Sequence, residues 1–148
     1  MIIMKFGGSS LADANKIATV AMIVENAQKE DEVMVVLSAM KGITDQLIEM
    51  AQDAEQGNKA YNEKYAGLLT RLKTTAQDLF KEDTVVEIKK AMERMCKELH
   101  ELLHGIELVR ECSTRTLDLI LSFGERLNTL LFSHYLTHRN ITATLIDA

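Results

Sequence analysis

Proline and tryptophan are absent from this sequence of 148 residues, and aromatic residues make up only 5% of it. Because proline interrupts helices, its absence is typical of a chain built from long helices. No apolar run approaches the ~20 residues that a membrane-spanning helix needs. The first residues also lack the charged-then-apolar layout of a secretory signal. We therefore expect a cytoplasmic protein that has no membrane partner.

Cysteine is scarce as well, with Cys96 and Cys112 the two in the chain. They lie in apolar-periodic helical sequence without C-x-x-C spacing, so reduced structural thiols are predicted. The net charge of −5 and the lack of a Lys/Arg run argue against nucleic acid as a partner. With 47% hydrophobic and 26% charged residues, the composition is that of a globular protein of one domain.

The first third of the chain has the pattern of a parallel β-α-β unit. Met1–Phe6 and Glu32–Ser38 are predicted as short apolar strands, and helical spacing predicts a helix over Leu11–Lys29 between them. The second strand is continuously apolar, which is typical of parallel sheets that are covered on both faces. A polar, glycine-bearing turn then opens a helix that ends near Glu55.

The middle of the chain has helical periodicity throughout. One apolar stripe predicts a helix over Asn58–Phe80, and apolar residues in alternating steps of three and four from Val85 to Ile106 predict a second helix. We interpret Asn58–His104 as a helical hairpin that belongs to an insert over about 58–112. A seam of this kind normally packs against a neighbouring helix.

The last part of the chain predicts one more helix and one more strand. Ser113 is a suitable N-cap for a helix over Thr114–Thr137, and Ile141–Asp147 is predicted as a third strand. Three strands form a small sheet for so many helices. The expected fold class is α/β, a mainly parallel sheet with flanking helices and a long helical hairpin insert, and we expect the chain to be part of a larger domain.

The first candidate site follows the first predicted strand, where Lys5 is succeeded by Gly7, Gly8 and Ser9. Glycines let backbone N–H groups approach an anion, a helix N-terminus adds partial positive charge, and lysine adds a full one. This arrangement favours a phosphate site. An ordinary strand-to-helix turn with a serine cap remains the alternative.

The turn after the second predicted strand supplies further polar groups, including Ser38, Gly42 and Thr44. In open α/β sheets ligands bind beyond the carboxyl ends of the strands, so the two turns are expected to face the same side. A cation, two glycine-permitted backbone approaches and several hydroxyls suit a phosphate together with a small polar substrate. Two turns with ordinary caps remain possible on these residues alone.

A second candidate lies in the middle of the last predicted helix, at Gly124 and Glu125. Glycine costs about 1 kcal/mol inside a helix relative to alanine, so close approach of another backbone or of a ligand is expected at Gly124. The carboxylate of Glu125 is suited to pairing with a substrate ammonium group. An exposed glutamate beside a packing glycine is the alternative.

A third candidate is the segment from His100 to His104, which fits the H-E-x-x-H pattern of zinc peptidases with Glu101 as the base. Charged residues crowd its upstream flank, no third ligand follows it, and the apolar stripe accounts for this helix without a metal. We therefore expect no metal site here. A zinc-dependent peptidase is kept as an alternative function, as is a non-catalytic module that recruits a partner through Val85–Ile106.

Three motifs occur in order along the chain and are far more specific together than singly: Lys5-Phe6-Gly7-Gly8-Ser9-Ser10, Val35-Val36-Leu37-Ser38-Ala39-Met40-Lys41-Gly42-Ile43-Thr44-Asp45 and Ser122-Phe123-Gly124-Glu125-Arg126-Leu127. On these motifs the chain resembles aspartate kinase, a member of the amino acid kinase family, over essentially its whole length. The insert, with His104-Gly105-Ile106 and residues 111–118, is similar to the form in fused aspartokinase–homoserine dehydrogenases.

The resemblance implies an ATP- and Mg²⁺-dependent kinase that phosphorylates the β-carboxylate of L-aspartate, the first step of the aspartate-derived amino acid pathway. It implies a partial amino-acid-kinase fold, since the 148 residues correspond to about the first half of the family's catalytic domain. The family's later glycine-rich segment, its arginine for a substrate carboxylate and its regulatory domains have no counterpart here. We therefore expect the isolated chain to be inactive, and the parent enzyme to be a homo-oligomer.

The resemblance also implies roles for single residues. Lys5 would contact the transferred phosphoryl group, and Gly7, Gly8 and Ser9 would line the nucleotide phosphates. Ser9 stands where the family often has threonine, which keeps the hydroxyl.

Further along the chain, the resemblance implies that Ser38 lies near the nucleotide phosphates as well. Thr44 and Glu125 would hold aspartate, with Glu125 facing its α-ammonium group. These last two positions would discriminate between aspartate kinase and sibling kinases that act on another carboxylate or on carbamate.

Overall fold

A computed structural model describes residues 1–146 of the chain. Two strands, a short 3-10 helix and five α-helices follow one another in these residues: β1 (Ile2–Phe6), the 3-10 helix (Gly8–Leu11), α1 (Ala14–Gln28), β2 (Val33–Leu37), α2 (Ile43–Glu55), α3 (Tyr61–Leu79), α4 (Glu82–Val109) and α5 (Thr114–His138). The predicted α/β class, with a parallel sheet, flanking helices and a helical hairpin, is confirmed. Ser113 caps α5 as predicted, since its side chain accepts the N–H of Thr116.

β1 and β2 pair in parallel in the described residues, with Ile2 opposite Val33 and Phe6 opposite Leu37. The pairing continues one residue further, because the N–H of Ser38 donates to the carbonyl of Phe6 at 3.1 Å. Both strands therefore end at the same level. The turns that leave them begin side by side, as expected for a β-α-β unit.

One face of this sheet packs on the helices, and the other is open. Met4, Phe6, Val33 and Val35 pack against the core. Ile3, Met34 and Val36 are 64%, 43% and 44% exposed. The prediction that the apolar second strand is covered on both faces is therefore wrong for the described residues. An apolar strand sequence shows that a face is suited to burial, not which part of a protein covers it.

The third predicted strand is not present in the described part of the segment, residues 141–146; Asp147 lies outside the described residues. α5 ends in a left-handed Asn140 (φ 63°), and the N–H of Ile141 donates back to the carbonyl of Leu136 at 2.9 Å. This is a Schellman-type helix end. A strand also needs a hydrogen-bonded neighbour, which β-prone residues do not reveal by themselves.

α3 and α4 form the helical hairpin that the sequence predicts, and α4 also packs on α2 and α5. The apolar seam from Val85 to Ile106 is buried by this packing within the chain itself, because Ile88, Met92 and Leu99 are fully buried. An interaction module that recruits a partner through this seam is therefore not favoured. The hairpin continues the hydrophobic core of the other helices.

A polar cluster ties the beginning of α3 to the end of α4. Tyr61 is 1% exposed, and its hydroxyl donates to the Glu107 carboxylate at 2.6 Å. Burial, together with this acidic partner, raises the pKa of Tyr61 to about 12, and the same hydrogen bond lowers the pKa of Glu107. Neutral tyrosine and ionised glutamate are therefore the stable pair at neutral pH.

This pair predicts how stability depends on alkaline pH. The Tyr61 phenol of the unfolded chain ionises near its ordinary pKa of 10.0, whereas in the folded chain it keeps its proton up to about pH 12. Between these values the unfolded state binds fewer protons, so stability falls as pH rises, by about 2 kcal/mol over the window. Urea unfolding from pH 9 to 12 measures this loss. Tyr61→Phe should lack this component, and equal pH slopes in the two proteins would contradict the pairing.

Candidate phosphate- and substrate-binding site

The turns that follow β1 and β2 are in direct contact. The N–H of Lys41 donates to the carbonyl of Gly8 at 3.2 Å. A Cβ atom at Gly8 would lie only 2.9 Å from the carbonyl oxygen of Ala39, which is backbone and cannot swing away. Glycine is thus required at this position by space, whereas a Cβ at Gly7 would meet nothing within 4 Å.

The middle of α5 also packs against the second turn, at Ala39. A Cβ at Gly124 would lie 2.8 Å from the Ala39 Cβ and 3.4–3.5 Å from Leu47 and Ile43 of α2. These neighbours are side-chain atoms, so the structure shows a packing glycine, which was the alternative, and not the expected approach of another backbone or of a ligand. Glu125, the next residue, is exposed beside this contact.

The two helix N-termini near these turns differ in what caps them. The Asp13 carboxylate caps α1 by accepting the N–H of Lys16 at 3.0 Å, so α1 begins at Ala14 rather than at the predicted Leu11. The prediction that the first turn opens this long helix and shares its N-terminal charge is therefore wrong. α2 instead begins after Gly42 (φ 85°), without a side-chain cap, and its first N–H groups stand beside the contact of the two turns.

The side chains predicted for the site are available to ligands. Within residues 1–146, those of Lys5, Ser9, Ser38, Thr44 and Glu125 make no hydrogen bond or ion pair. Lys5 is exposed and lies on the open sheet face with Ile3, whereas α5, with Glu125, packs on the other side of the sheet. Hence the structure brings together the two turns and the middle of α5, but no direct contact joins Lys5 to Glu125.

A groove of about 420 Å³ lies next to the first turn, between the end of β1 and α1. Of the predicted site residues it contains Ser9, which lines it together with Ser10 and Lys16. Lys5 and Glu125 are not among its lining residues. This groove therefore does not join Lys5 to Glu125.

Three further residues, one within the second turn and two that bond to the turns, are not among the predicted site residues. Lys41 lies exposed within the second turn. Arg71 of α3 donates to the carbonyl of Ala12 at 3.1 Å. Asn128 of α5 donates to the carbonyl of Ser38 at 2.6 Å. Lys41 lies inside the motif that contains Gly42, so the motif could have identified it as a site residue. Nothing in the sequence pattern shows which backbone carbonyls Arg71 and Asn128 reach.

The H-E-x-x-H segment is committed to other contacts. A ring nitrogen of His100 lies 2.9 Å from the side-chain oxygen of Asn62, and one of His104 lies 3.3 Å from the Glu107 carboxylate. Within residues 1–146, no three His, Cys, Asp or Glu side chains are grouped so as to hold a metal ion. The arrangement of these side chains does not favour the zinc peptidase.

The cysteines are free thiols, in agreement with the prediction of reduced cysteines. Cys96 is fully buried in α4, and burial raises its pKa to about 12. It is therefore a packing residue and not a nucleophile at neutral pH.

In residues 1–146, no helix is both long and apolar enough to cross a membrane.

The fold is that of an α/β protein, with a parallel β-α-β unit whose two strand-ending turns meet beside a close-packed helix. The chain belongs to the amino acid kinase family, whose family model matches residues 1–148. It is similar to aspartokinase 2 of Arabidopsis thaliana, with 35% identity over 99% of this chain and 26% of that protein. It is also similar to the bifunctional aspartokinase/homoserine dehydrogenase of Buchnera aphidicola, with 28% identity over 99% of this chain and 18% of that protein.

Solved structures agree with the sequence comparison. E. coli aspartokinase III in complex with aspartate and ADP superposes with a TM-score of 0.82 at 30% identity, covering 97% of this chain and 30% of that one. The complex of the same enzyme with lysine and aspartate gives 0.82 at 29% identity, over 96% of this chain and 30% of that one. The resemblance to aspartokinases is thus confirmed in sequence and fold. The chain spans about a quarter or less of the length of these curated relatives.

The contact at Gly124 predicts opposite effects for two matched substitutions. Gly124→Ala gains about 1 kcal/mol of helix propensity but forces Ala39 away, so it should destabilise the chain by about 1–2 kcal/mol net. Gly105→Ala, within α4, meets nothing within 4 Å and should stabilise it by up to about 1 kcal/mol. Urea unfolding of both variants measures the difference. Stabilisation by both substitutions would contradict the close approach.

Proposed function

We propose that the protein acts in the ATP-dependent phosphorylation of the β-carboxylate of L-aspartate, giving an acyl phosphate for amino acid biosynthesis. The observation that supports this most is the meeting of both strand-ending turns with the middle of α5 at Ala39. The three segments that meet are those that contain the three motifs. The match to aspartokinases over 99% of the chain supports the choice of substrate.

The groups around the turns fit the phosphates of a nucleotide. In this proposal Lys5 contacts the transferred phosphoryl group, and the backbone of Gly7 and Gly8 lines the nucleotide phosphates together with Ser9 and Ser38. Lys5, Ser9 and Ser38 have no competing side-chain partner within residues 1–146. Their cationic and hydroxyl donors are therefore free for an anion.

The chemistry needs few protein groups. The β-carboxylate of aspartate is already ionised at neutral pH, so its oxygen attacks the γ-phosphorus of ATP without a general base, and ADP leaves. Positioning and neutralisation of the phosphate charge by Lys5 and backbone N–H groups then provide the catalysis. Mg²⁺, which commonly reaches such sites bound to nucleotide phosphates, would neutralise further charge.

Thr44 and Glu125 are proposed to hold aspartate. Glu125 is exposed next to Gly124, and Thr44 is exposed in the first turn of α2, which contacts Gly124 through Ile43 and Leu47. A carboxylate at Glu125 is complementary to the α-ammonium group of an amino acid. A sibling kinase for another carboxylate or for carbamate would use these two positions differently.

Lys5 provides a direct test in the complete kinase. Lys5→Ala should lower kcat about 100-fold or more while leaving the Tm unchanged, because Lys5 is exposed and has no ion-pair partner within residues 1–146. Lys29→Ala, which removes a lysine from the far end of α1, is the matched control and should keep normal activity. A coupled assay of aspartate-dependent ADP release measures both. Near-normal kcat in Lys5→Ala would reject the role of Lys5.

We further propose that residues beyond these 148 complete the active site, since the chain covers 30% of the solved kinase chains. The open apolar sheet face then packs on the remainder of the kinase, which we propose to be a cytoplasmic homo-oligomer. The isolated chain should release no ADP in response to aspartate, because the groups that face this half of the site are absent. Aspartate-dependent turnover by the isolated chain would contradict the division of the site.

A further inference from the structure

Asn128 is an amide side chain placed among apolar neighbours on α5. It is 1% exposed, and the residues around it on the helix, Phe123, Leu127 and Leu131, are fully buried core residues. Its side-chain nitrogen donates to the backbone carbonyl of Ser38, 90 positions earlier in the chain, at 2.6 Å. A core position of this kind is normally apolar.

With this hydrogen bond, both backbone polar groups of Ser38 are hydrogen-bonded. The N–H of Ser38 donates to the carbonyl of Phe6 at 3.1 Å, and its carbonyl accepts from Asn128. Both backbone groups at the end of β2 are therefore held, one by β1 and the other by α5. The Ser38 hydroxyl, in contrast, has no partner within residues 1–146 and is left for a ligand.

The other half of the Asn128 amide is unsatisfied. Its side-chain oxygen is buried and accepts no hydrogen bond within residues 1–146. An unsatisfied buried acceptor costs about 1–3 kcal/mol, a penalty that leucine would avoid. The Asn128 amide therefore lowers stability but orders the backbone at the edge of the candidate site. A role in the site explains an asparagine at this position better than packing of the core does.

We propose that Asn128 is a positioning residue, which fixes the exit of β2 so that the Ser38 hydroxyl and the Ala39–Lys41 backbone face Gly8. This inference rests on the proposed function as far as the ligand is concerned. The amide acts through Ser38 and not on substrate. Without it, the second turn loses its anchor on α5, so its hydrogen bonds to Phe6 and Gly8 open more often.

The test compares Asn128→Leu with Leu131→Val, a core substitution one turn along the same helix. Amide hydrogen exchange of the whole 148-residue chain, measured by NMR, reports on the N–H groups of Ser38 and Lys41, which bond to Phe6 and Gly8. Asn128→Leu should speed exchange at these two amides at least 10-fold relative to the rest of the chain. Leu131→Val should speed exchange uniformly, according to its loss of overall stability. Asn128→Ser, whose hydroxyl is too short to reach Ser38, provides the same readout if the leucine variant does not fold.

A second measurement separates this inference from the proposed function. Titration with ADP and Mg²⁺ should show about 10-fold weaker binding for Asn128→Leu than for the parent chain, and unchanged binding for Leu131→Val. If the complete kinase, titrated in the same way, binds no nucleotide, the proposed function fails, while the exchange rates still decide the role of Asn128. Exchange at Ser38 and Lys41 that changes only in proportion to overall stability would overturn the proposal.

Discussion

The site depends on one steric constraint, the approach of the first turn and of α5 to Ala39 in the second turn, at distances that leave no room for a side chain. Gly8 contributes a position where a Cβ would lie 2.9 Å from the Ala39 carbonyl oxygen, and Gly124 one where it would lie 2.8 Å from the Ala39 Cβ. Hydrogen bonds from Lys41 and Asn128 hold the same turn. The same requirement therefore explains glycine at two positions far apart in the sequence: the turns after the strands and α5 can meet only where no side chain stands between them.

The remaining helices act as the support of this meeting point. α4 packs on α2, α3 and α5, and its apolar seam is buried in a core that includes α1 and β2. Arg71 of α3 reaches the Ala12 carbonyl at the end of the first turn, so the helical insert also contacts the site region. Its H-E-x-x-H segment joins the two helices of the hairpin through His100, whose ring nitrogen lies 2.9 Å from the side-chain oxygen of Asn62 in α3.

Periodicity and end signals in the sequence predicted most elements, because α4 and α5 each bury one apolar stripe, and α5 begins at the Ser113 cap. The expected meeting of the two turns followed from the rule for parallel strands. Features that depend on a partner distant in the sequence could not be predicted from the sequence. Ile141–Ile146 has β-forming residues but no strand pairing in the described residues, Met34 and Val36 are apolar but open on one face, and Asn128 reaches a carbonyl 90 positions away. That Lys5, the two turns and Glu125 line one common pocket stays a prediction.

In the proposed function, the two turns, held together at Ala39, receive the phosphates of a nucleotide. The most direct measurement is an amide chemical-shift map of the ¹⁵N-labelled chain titrated with ADP and Mg²⁺. We expect saturable shifts at Gly7–Ser10 and Ser38–Gly42, smaller ones at Gly124 and Glu125, and none along the outer half of α4. Shifts centred on His100–His104, or no saturable shifts in either turn, would contradict it.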